Sequence, residues 1–111
     1  MLYSGSSRTM RSKVESYLGF AKKSGNLMSG SNTCIFGMAK GKVKLVILAD
    51  DISENSEKKM MKEIRKHGVA YVRYGSSDEL SHAVGTSGRS VFAVCDDNFS
   101  KVILNEINRD L

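Results

Sequence analysis

The residues best suited to chemistry lie in one stretch, Gly30-Ser31-Asn32-Thr33, followed by Phe36 and Lys40 in a run that ends at Gly41. The run reads as a helix, and its start carries small polar residues. The first N–H groups of a helix lack intrahelical partners, and such a terminus attracts phosphate or another anion. By helical projection Cys34, Ile35, Met38 and Ala39 fall on one side, and Thr33, Phe36, Gly37 and Lys40 fall roughly opposite. An aromatic ring and an ammonium beside an anion-attracting helix start make this the candidate binding site. Simple helix capping by Ser31 or Asn32 is the plainer alternative, and it does not exclude binding.

Other titratable groups are less suggestive. Two acidic pairs, Asp50-Asp51 and Asp96-Asp97, follow apolar runs, where α/β folds place their chemistry. Helix capping explains them without a metal or an acid/base pair. His67 ends a helical stretch, where a cation is favoured, and His82 has no partner nearby in sequence. There is no Ser-His-Asp or Cys-His order, no P-loop and no Gly-x-Gly-x-x-Gly. The expectation is a non-enzymatic protein with no cofactor, no metal and no small-molecule substrate. Cys34 and Cys95 each sit in an apolar neighbourhood far apart in sequence, which reads as two buried thiols in a reducing compartment.

Charge points to a polyanionic partner. Lys and Arg number 17 against 12 Asp and Glu, giving a formal net charge of +5. A small basic domain is compatible with nucleic acid, though many basic proteins bind none. Lys40, Lys42, Lys44 and Arg89 are candidate phosphate contacts. The stripe Lys58, Lys59, Lys62, Arg65 and Lys66 reads as a solvated helix face that adds long-range attraction. No apolar run approaches the roughly 20 residues of a membrane span and no signal-peptide pattern is present, so no membrane role and a cytoplasmic location are expected.

The elements that must position these residues follow from periodicity. Residues 1–11 are Ser-rich without a period and read as a disordered leader, leaving 12–111 as a single domain. Ser12 and Glu15 form a capping box for a first helix, with Val14, Tyr17, Leu18 and Ala21 at helical spacing and Gly25 as its stop. Leu45 to Ala49 is a continuous apolar run, as a strand covered on both faces requires. Met60, Met61 and Ile64 mark the buried side of a third helix ending at Gly68, and Val69 to Tyr74 reads as a strand. Ser76 with Glu79 opens a short helix to Gly85, Thr86 to Ser90 reads as a flexible loop, and Val91 to Cys95 as another apolar strand. Asp97 or Asn98 is expected to cap a last helix with Phe99, Val102, Ile103 and Ile107 on its inner stripe. Strands alternating with helices through short loops argue for an α/β fold with a central sheet between helices.

Four segments together carry a family likeness: Ser29 to Asn32, Gly41 to Asp51, Val69 to Val72, and Ser77 to Gly85. Each is weak alone, but in this order and spacing they resemble the kink-turn-binding ribosomal-protein superfamily, the L7Ae and L30e group. The likeness is greatest to its small bacterial members of the YlxQ type and covers about Val14 to Leu111. It implies a three-layer α/β/α sandwich with a four-stranded mixed sheet, and binding to RNA that bends sharply at tandem sheared G·A pairs. The family's second helix begins Gly-x-Asn-Glu-x-x-Lys. Gly30 and Asn32 match, Thr33 stands at the Glu position, Phe36 stands at the Lys position, and Lys40 matches a basic position one turn further on. The family's second contact is the loop before the last strand, here Thr86, Ser87, Gly88, Arg89 and Ser90.

The resemblance therefore implies a structured-RNA-binding protein, with ribosomal RNA or the ribosome among its candidate partners, and a monomer is expected. Its RNA-binding residues are expected to be Gly30, Ser31, Asn32, Thr33, Phe36, Lys40, Thr86, Ser87, Gly88 and Arg89. The alternative is a protein-interaction module that keeps the fold and has lost the kink-turn site. Phe36 has three open readings: a core residue, a stacking platform for an unpaired base, or an apolar contact for a protein partner.

Overall fold

The computed structural model describes residues 12–109, so the expected leader lies outside the described residues. Helices and strands alternate in the order α1 (Ser12–Lys23), β1 (Leu27–Ser29), α2 (Ser31–Ala39), β2 (Leu45–Leu48), α3 (Glu54–His67), β3 (Ala70–Arg73), α4 (Ser77–Ala83), β4 (Val91–Val94) and α5 (Asp97–Asn108). The four-stranded sheet has the order β1-β4-β2-β3, with β2 and β3 parallel and β4 antiparallel to both of its neighbours. It is mixed, as expected.

Period-2 alternation on the two central strands builds two cores. Leu45, Ile47, Phe92 and Val94 face one side and pack with Val14 and Leu18 of α1, Leu80 of α4, and Ile103 and Ile107 of α5. Val46, Leu48, Val91 and Ala93 face the other side and pack with Cys34 and Met38 of α2 and Met60 and Ile64 of α3. Both central strands are buried along their whole length, which explains their uninterrupted apolar sequence. Burying each large side chain contributes about 1.5–3 kcal/mol. The result is the three-layer α/β/α sandwich.

The topology also sets the relation between α2 and α3. β1 and β2 are both antiparallel to β4 and therefore run the same way. Each is followed by a helix on the same face of the sheet that returns antiparallel to it. The two helices thus lie parallel, with both N-termini at one edge of the sandwich.

Local signals mostly match the caps. Ser53 Oγ accepts from the Ser56 N–H, and Ser76 Oγ accepts from the Glu79 N–H as the Ser-x-x-Glu pattern predicts. The last helix differs: its cap is Asp96, not Asp97 or Asn98. Asp96 holds the extended conformation a cap requires (φ −118°, ψ 134°) and accepts from the Phe99 N–H at 2.9 Å. On this helix Val102 is exposed rather than inward, and Leu104 is half-buried beside Ile103 and Ile107. The expected capping box of the first helix rests on the Ser12 side chain, which lies outside the described residues.

α2 is turned slightly from the helical projection. Cys34 and Met38 are buried as expected, but Gly37 is buried with them and Ala39 is exposed. Gly37 faces Met28 and Val43, and a Cβ there would lie 2.6 Å from Met28 Sδ and 3.1 Å from Val43 Cγ2. The missing side chain is what lets α2 sit down on β1 and the segment leading into β2.

Candidate functional site

Gly30 starts the site. It adopts φ 95°, a left-handed-side conformation that L side chains rarely take, while its N–H bonds the Val91 carbonyl at 2.8 Å and its carbonyl accepts from Cys34 N–H. The turn is thereby tied to β4 on one side and to the first turn of α2 on the other. Neither Ser31 nor Asn32 caps the helix, because the cap position belongs to Gly30, which has no side chain. Among the described residues no acceptor pairs with the Ser31, Asn32 or Thr33 N–H, and no acidic residue stands in the first turn. These amides face an environment that favours negative charge.

Arg89 comes to the same corner from 59 residues further along the chain, and its guanidinium lies over the Gly30 backbone. A Cβ on Gly30 would be 3.5 Å from Arg89 Nη1 and 3.8 Å from its Cζ. The segment carrying Arg89 was expected to be a flexible loop, yet it is tethered at several points. Buried Ser81 on α4 donates to the Arg89 carbonyl at 3.1 Å and accepts from the Arg89 N–H at 3.0 Å. The Thr86 N–H bonds the Ser81 carbonyl, the Ser90 carbonyl accepts from Ala49 N–H, and the Ser90 and Ser77 hydroxyls share a hydrogen bond of 2.7 Å. With both backbone groups of Arg89 held, only its side chain is free to sample. Ser87 and Gly88 are exposed at the tip, and Thr86 is half-buried at the α4 end.

Ser77 leads to one of the acidic pairs. Asp51 Oδ1 accepts from both the Ser77 N–H (2.9 Å) and the Ser77 Oγ (2.7 Å). These bonds stabilise the ionised carboxylate and hold its pKa below the ordinary 3.8. Asp51 therefore pins the start of α4, and Asp96 caps α5. Both serve architecture, but only Asp96 does so as a cap: α3, which follows Asp50-Asp51, is capped by Ser53, and Asp51 instead ties the start of α4. Among the described residues no group of three or more His, Cys, Asp or Glu could hold a metal.

The outer strip of α2 completes the site. Asn32, Thr33, Phe36 and Lys40 are all exposed, with Asn32, Phe36 and Lys40 four residues apart on one line. Phe36 is 61% exposed, which removes the core reading. The Lys40 ammonium lies 4.8 Å from the Phe36 ring centroid, a cation–π contact. Asn32 has a partner that sequence reasoning missed: Lys59 Nζ on α3 donates to Asn32 Oδ1 at 2.8 Å. The signal available in the sequence was the α3 lysine stripe, which reads as solvated surface until the α2–α3 packing is known. Thus Gly30, Asn32 and Arg89 converge at one corner with Lys59, while Lys40 stands at the far end of the strip, about 12 Å along the helix axis from Asn32.

Both thiols are free. Burial, reinforced by nearby Cys95, pushes the Cys34 pKa up to about 12, and burial also raises that of Cys95. Neither thiol is primed as a nucleophile.

Comparison with known proteins agrees with this architecture. The ribosomal protein L7Ae/L30e/S12e/Gadd45 family matches residues 12–104. The RNA-binding protein YlxQ of Enterococcus faecium is 31% identical over 91 residues, covering 82% of this chain and 87% of that protein. Its counterpart in Bacillus subtilis is 30% identical over 88 residues, covering 79% and 88%. A Bacillus halodurans protein of unknown function superposes with a TM-score of 0.82 at 28% identity, covering 88% of this chain and 99% of that one. The Giardia lamblia 15.5kD RNA binding protein shares the fold at a TM-score of 0.68 and 20% identity, covering 90% and 89%. With its Gly-x-Asn helix start, its mixed four-stranded sheet and a family match along nearly all of the described residues, the chain belongs to the L7Ae/L30e/S12e/Gadd45 family, as a bacterial YlxQ-type member.

Proposed function

We propose that this chain is a non-enzymatic, structured-RNA-binding protein whose site is the Gly30–Thr33 turn, the outer strip of α2 and the Thr86–Arg89 segment. The observation that carries the reading is the gathering of donors and cations along the first turn of α2. The Arg89 guanidinium lies against Gly30, the Lys59 ammonium bonds Asn32 two residues on, and the amides of that turn are unpaired, with no carboxylate beside them. The family membership and the RNA-binding relatives support it.

Each group then has a role. The Ser31–Thr33 amides and Arg89 take backbone phosphates. Lys59 can only donate, so Asn32 must turn Oδ1 toward it. That leaves the Asn32 amide NH₂ pointing outward to donate to an acceptor on a base edge. Thr33 offers a hydroxyl that donates or accepts in place of the family's carboxylate. Phe36 stacks on an unpaired base, worth roughly 1–3 kcal/mol, and Lys40 flanks it with positive charge. Thr86, Ser87 and Gly88 close over the other side.

The RNA class is a kink-turn or a related G·A-containing fold, in ribosomal RNA or another structured RNA, bound by a monomer in the cytoplasm. The exposure of Phe36 favours one rival, a protein-interaction module built on the same strip. A gel-shift separates them, using a kink-turn RNA and a control whose G·A pairs are disrupted. The reading predicts retardation of the kink-turn RNA, weakened by Asn32→Ala and by Lys40→Ala and lost with the control. No retardation, or equal retardation of both RNAs unaffected by either substitution, sinks it.

A further inference from the structure

We propose that the lysine row of α3, Lys59, Lys62 and Lys66, is a phosphate track that carries the RNA footprint from α2 onto α3. The inference rests on the RNA-binding reading above and assigns it a second surface.

Four observations place the row. First, α2 and α3 lie side by side along their length. Lys59 reaches Asn32 at the N-terminal end, and Met38 and Ala39 line one depression with His67 and Gly68 at the other. Second, the 3.6-residue period sets Lys59, Lys62 and Lys66 on one shoulder of α3, and all three are exposed. His67 and half-buried Glu63 mark the flank toward α2, and Glu57 marks the opposite flank through its ion pair with Arg73. The row therefore faces outward beside the strip that carries Phe36.

Third, the carboxylates in the middle of this helix turn away from the row. Glu57 pairs with Arg73 on β3 and Glu63 lies 3.5 Å from His67. Among the described residues no carboxylate forms an ion pair with Lys59, Lys62 or Lys66. Fourth, Lys62 and Lys66 of the row stand four residues apart, and like charges at that spacing repel and weaken a helix. A helix shaped only for stability would place glutamates in this row. An anionic ligand converts the repulsion into attraction, and a local rule broken on one exposed face is what a functional surface looks like.

The dimensions suit a nucleic-acid strand. Lys59 to Lys66 spans about 10 Å along the axis. At about 3.4 Å of axial rise per phosphate on a strand, that covers roughly three phosphates. Lys59 is the junction, since it both fixes Asn32 and begins the row.

The test measures how binding depends on salt. A fluorescein-labelled kink-turn RNA carrying both stems is titrated with the full chain by anisotropy, from about 50 to 200 mM salt. Replacing Lys62 and Lys66 together by Gln removes two phosphate contacts and should flatten the log–log salt slope by about 1.4–1.8. Lys62→Arg with Lys66→Arg keeps the charge and should keep the slope. The pair Lys23→Gln and Lys101→Gln changes net charge equally on the opposite helical layer and should leave the slope alone. Because the lysines are exposed, the Gln pair should melt no lower than wild type. An unchanged slope in that pair, with wild-type RNA binding intact, overturns the inference and spares the RNA reading. An equal flattening by the control pair also overturns it. Failure of the wild-type chain to bind the RNA overturns both.

Discussion

Ser81 is predicted to hold the Arg89 segment in place although it touches no ligand. Its hydroxyl is buried on α4 and bonds both backbone groups of Arg89, donating to the carbonyl at 3.1 Å and accepting from the N–H at 3.0 Å. Ser81→Ala removes both bonds and supplies nothing in exchange. Each orphaned buried polar group costs about 1–3 kcal/mol, but the Arg89 residue is exposed and water can recover part of that loss. We therefore expect a net cost of about 2 kcal/mol. For a domain near 100 residues, at about 4 °C per kcal/mol, the melting temperature should fall by roughly 8 °C. Circular dichroism measures the melt, and amide hydrogen exchange reports the Arg89 N–H directly. RNA affinity should fall as well, because Arg89 loses its fixed place over Gly30. Ser87→Ala, at the exposed tip of the same segment, should change neither melt nor exchange. If Ser81→Ala melts like the wild type and the Arg89 amide exchanges no faster, the clamp does not exist as described.

Three other substitutions or conditions probe the architecture. Gly37→Ala gains up to about 1 kcal/mol in helix propensity. Its Cβ would nonetheless meet Met28 Sδ at 2.6 Å and the stiff β-branched Val43 at 3.1 Å, so urea denaturation should show a net loss of about 1 kcal/mol. Asp51 has a folded pKa below its unfolded 3.8, so its contribution is present above that value and is lost as pH falls through the folded pKa. Asp51→Asn should therefore melt below wild type at pH 7, with the gap closing below pH 3.8. The thiols should be slow toward Ellman's reagent in the native state, with half-buried Cys95 reacting before Cys34. At a pKa of about 12, only about one Cys34 in 10,000 is thiolate at pH 8.

Much of the fold was legible because local signals agreed with each other. The uninterrupted run Leu45 to Ala49 announced a strand buried on both faces, and Ser76 with Glu79 announced the start of α4. The rotation of α2 was harder. Its nine residues, Ser31 to Ala39, are mostly apolar or small, so the contrast between its faces is slight. What decides the matter is Gly37, chosen for the side chain it lacks and the approach of Met28 that this allows. Phe36 could not be resolved between core and surface without that rotation.

The rest of the site depends on side chains that meet across long separations. Lys59 and Asn32 are 27 residues apart, and Asp51 and Ser77 are 26 apart. No local pattern encodes either meeting; only the parallel placement of α2 and α3, and of β2 beside β3, creates them. The same holds for the tethering of Thr86 to Ser90. A Gly/Ser-rich composition reads as a flexible loop, yet Ser81 and Ser77 convert it into a fixed platform for Arg89.

Amide chemical-shift mapping shows directly whether the Gly30 corner receives the RNA. The isotopically labelled full chain is titrated with a kink-turn RNA, and shifts are followed residue by residue. The largest changes are expected at Gly30, Ser31, Asn32, Thr33 and Arg89, with α1 and α5 on the opposite layer nearly silent. Changes centred instead on the exposed Phe20 and Val102 of that layer, with the Gly30 corner unmoved, would contradict that expectation.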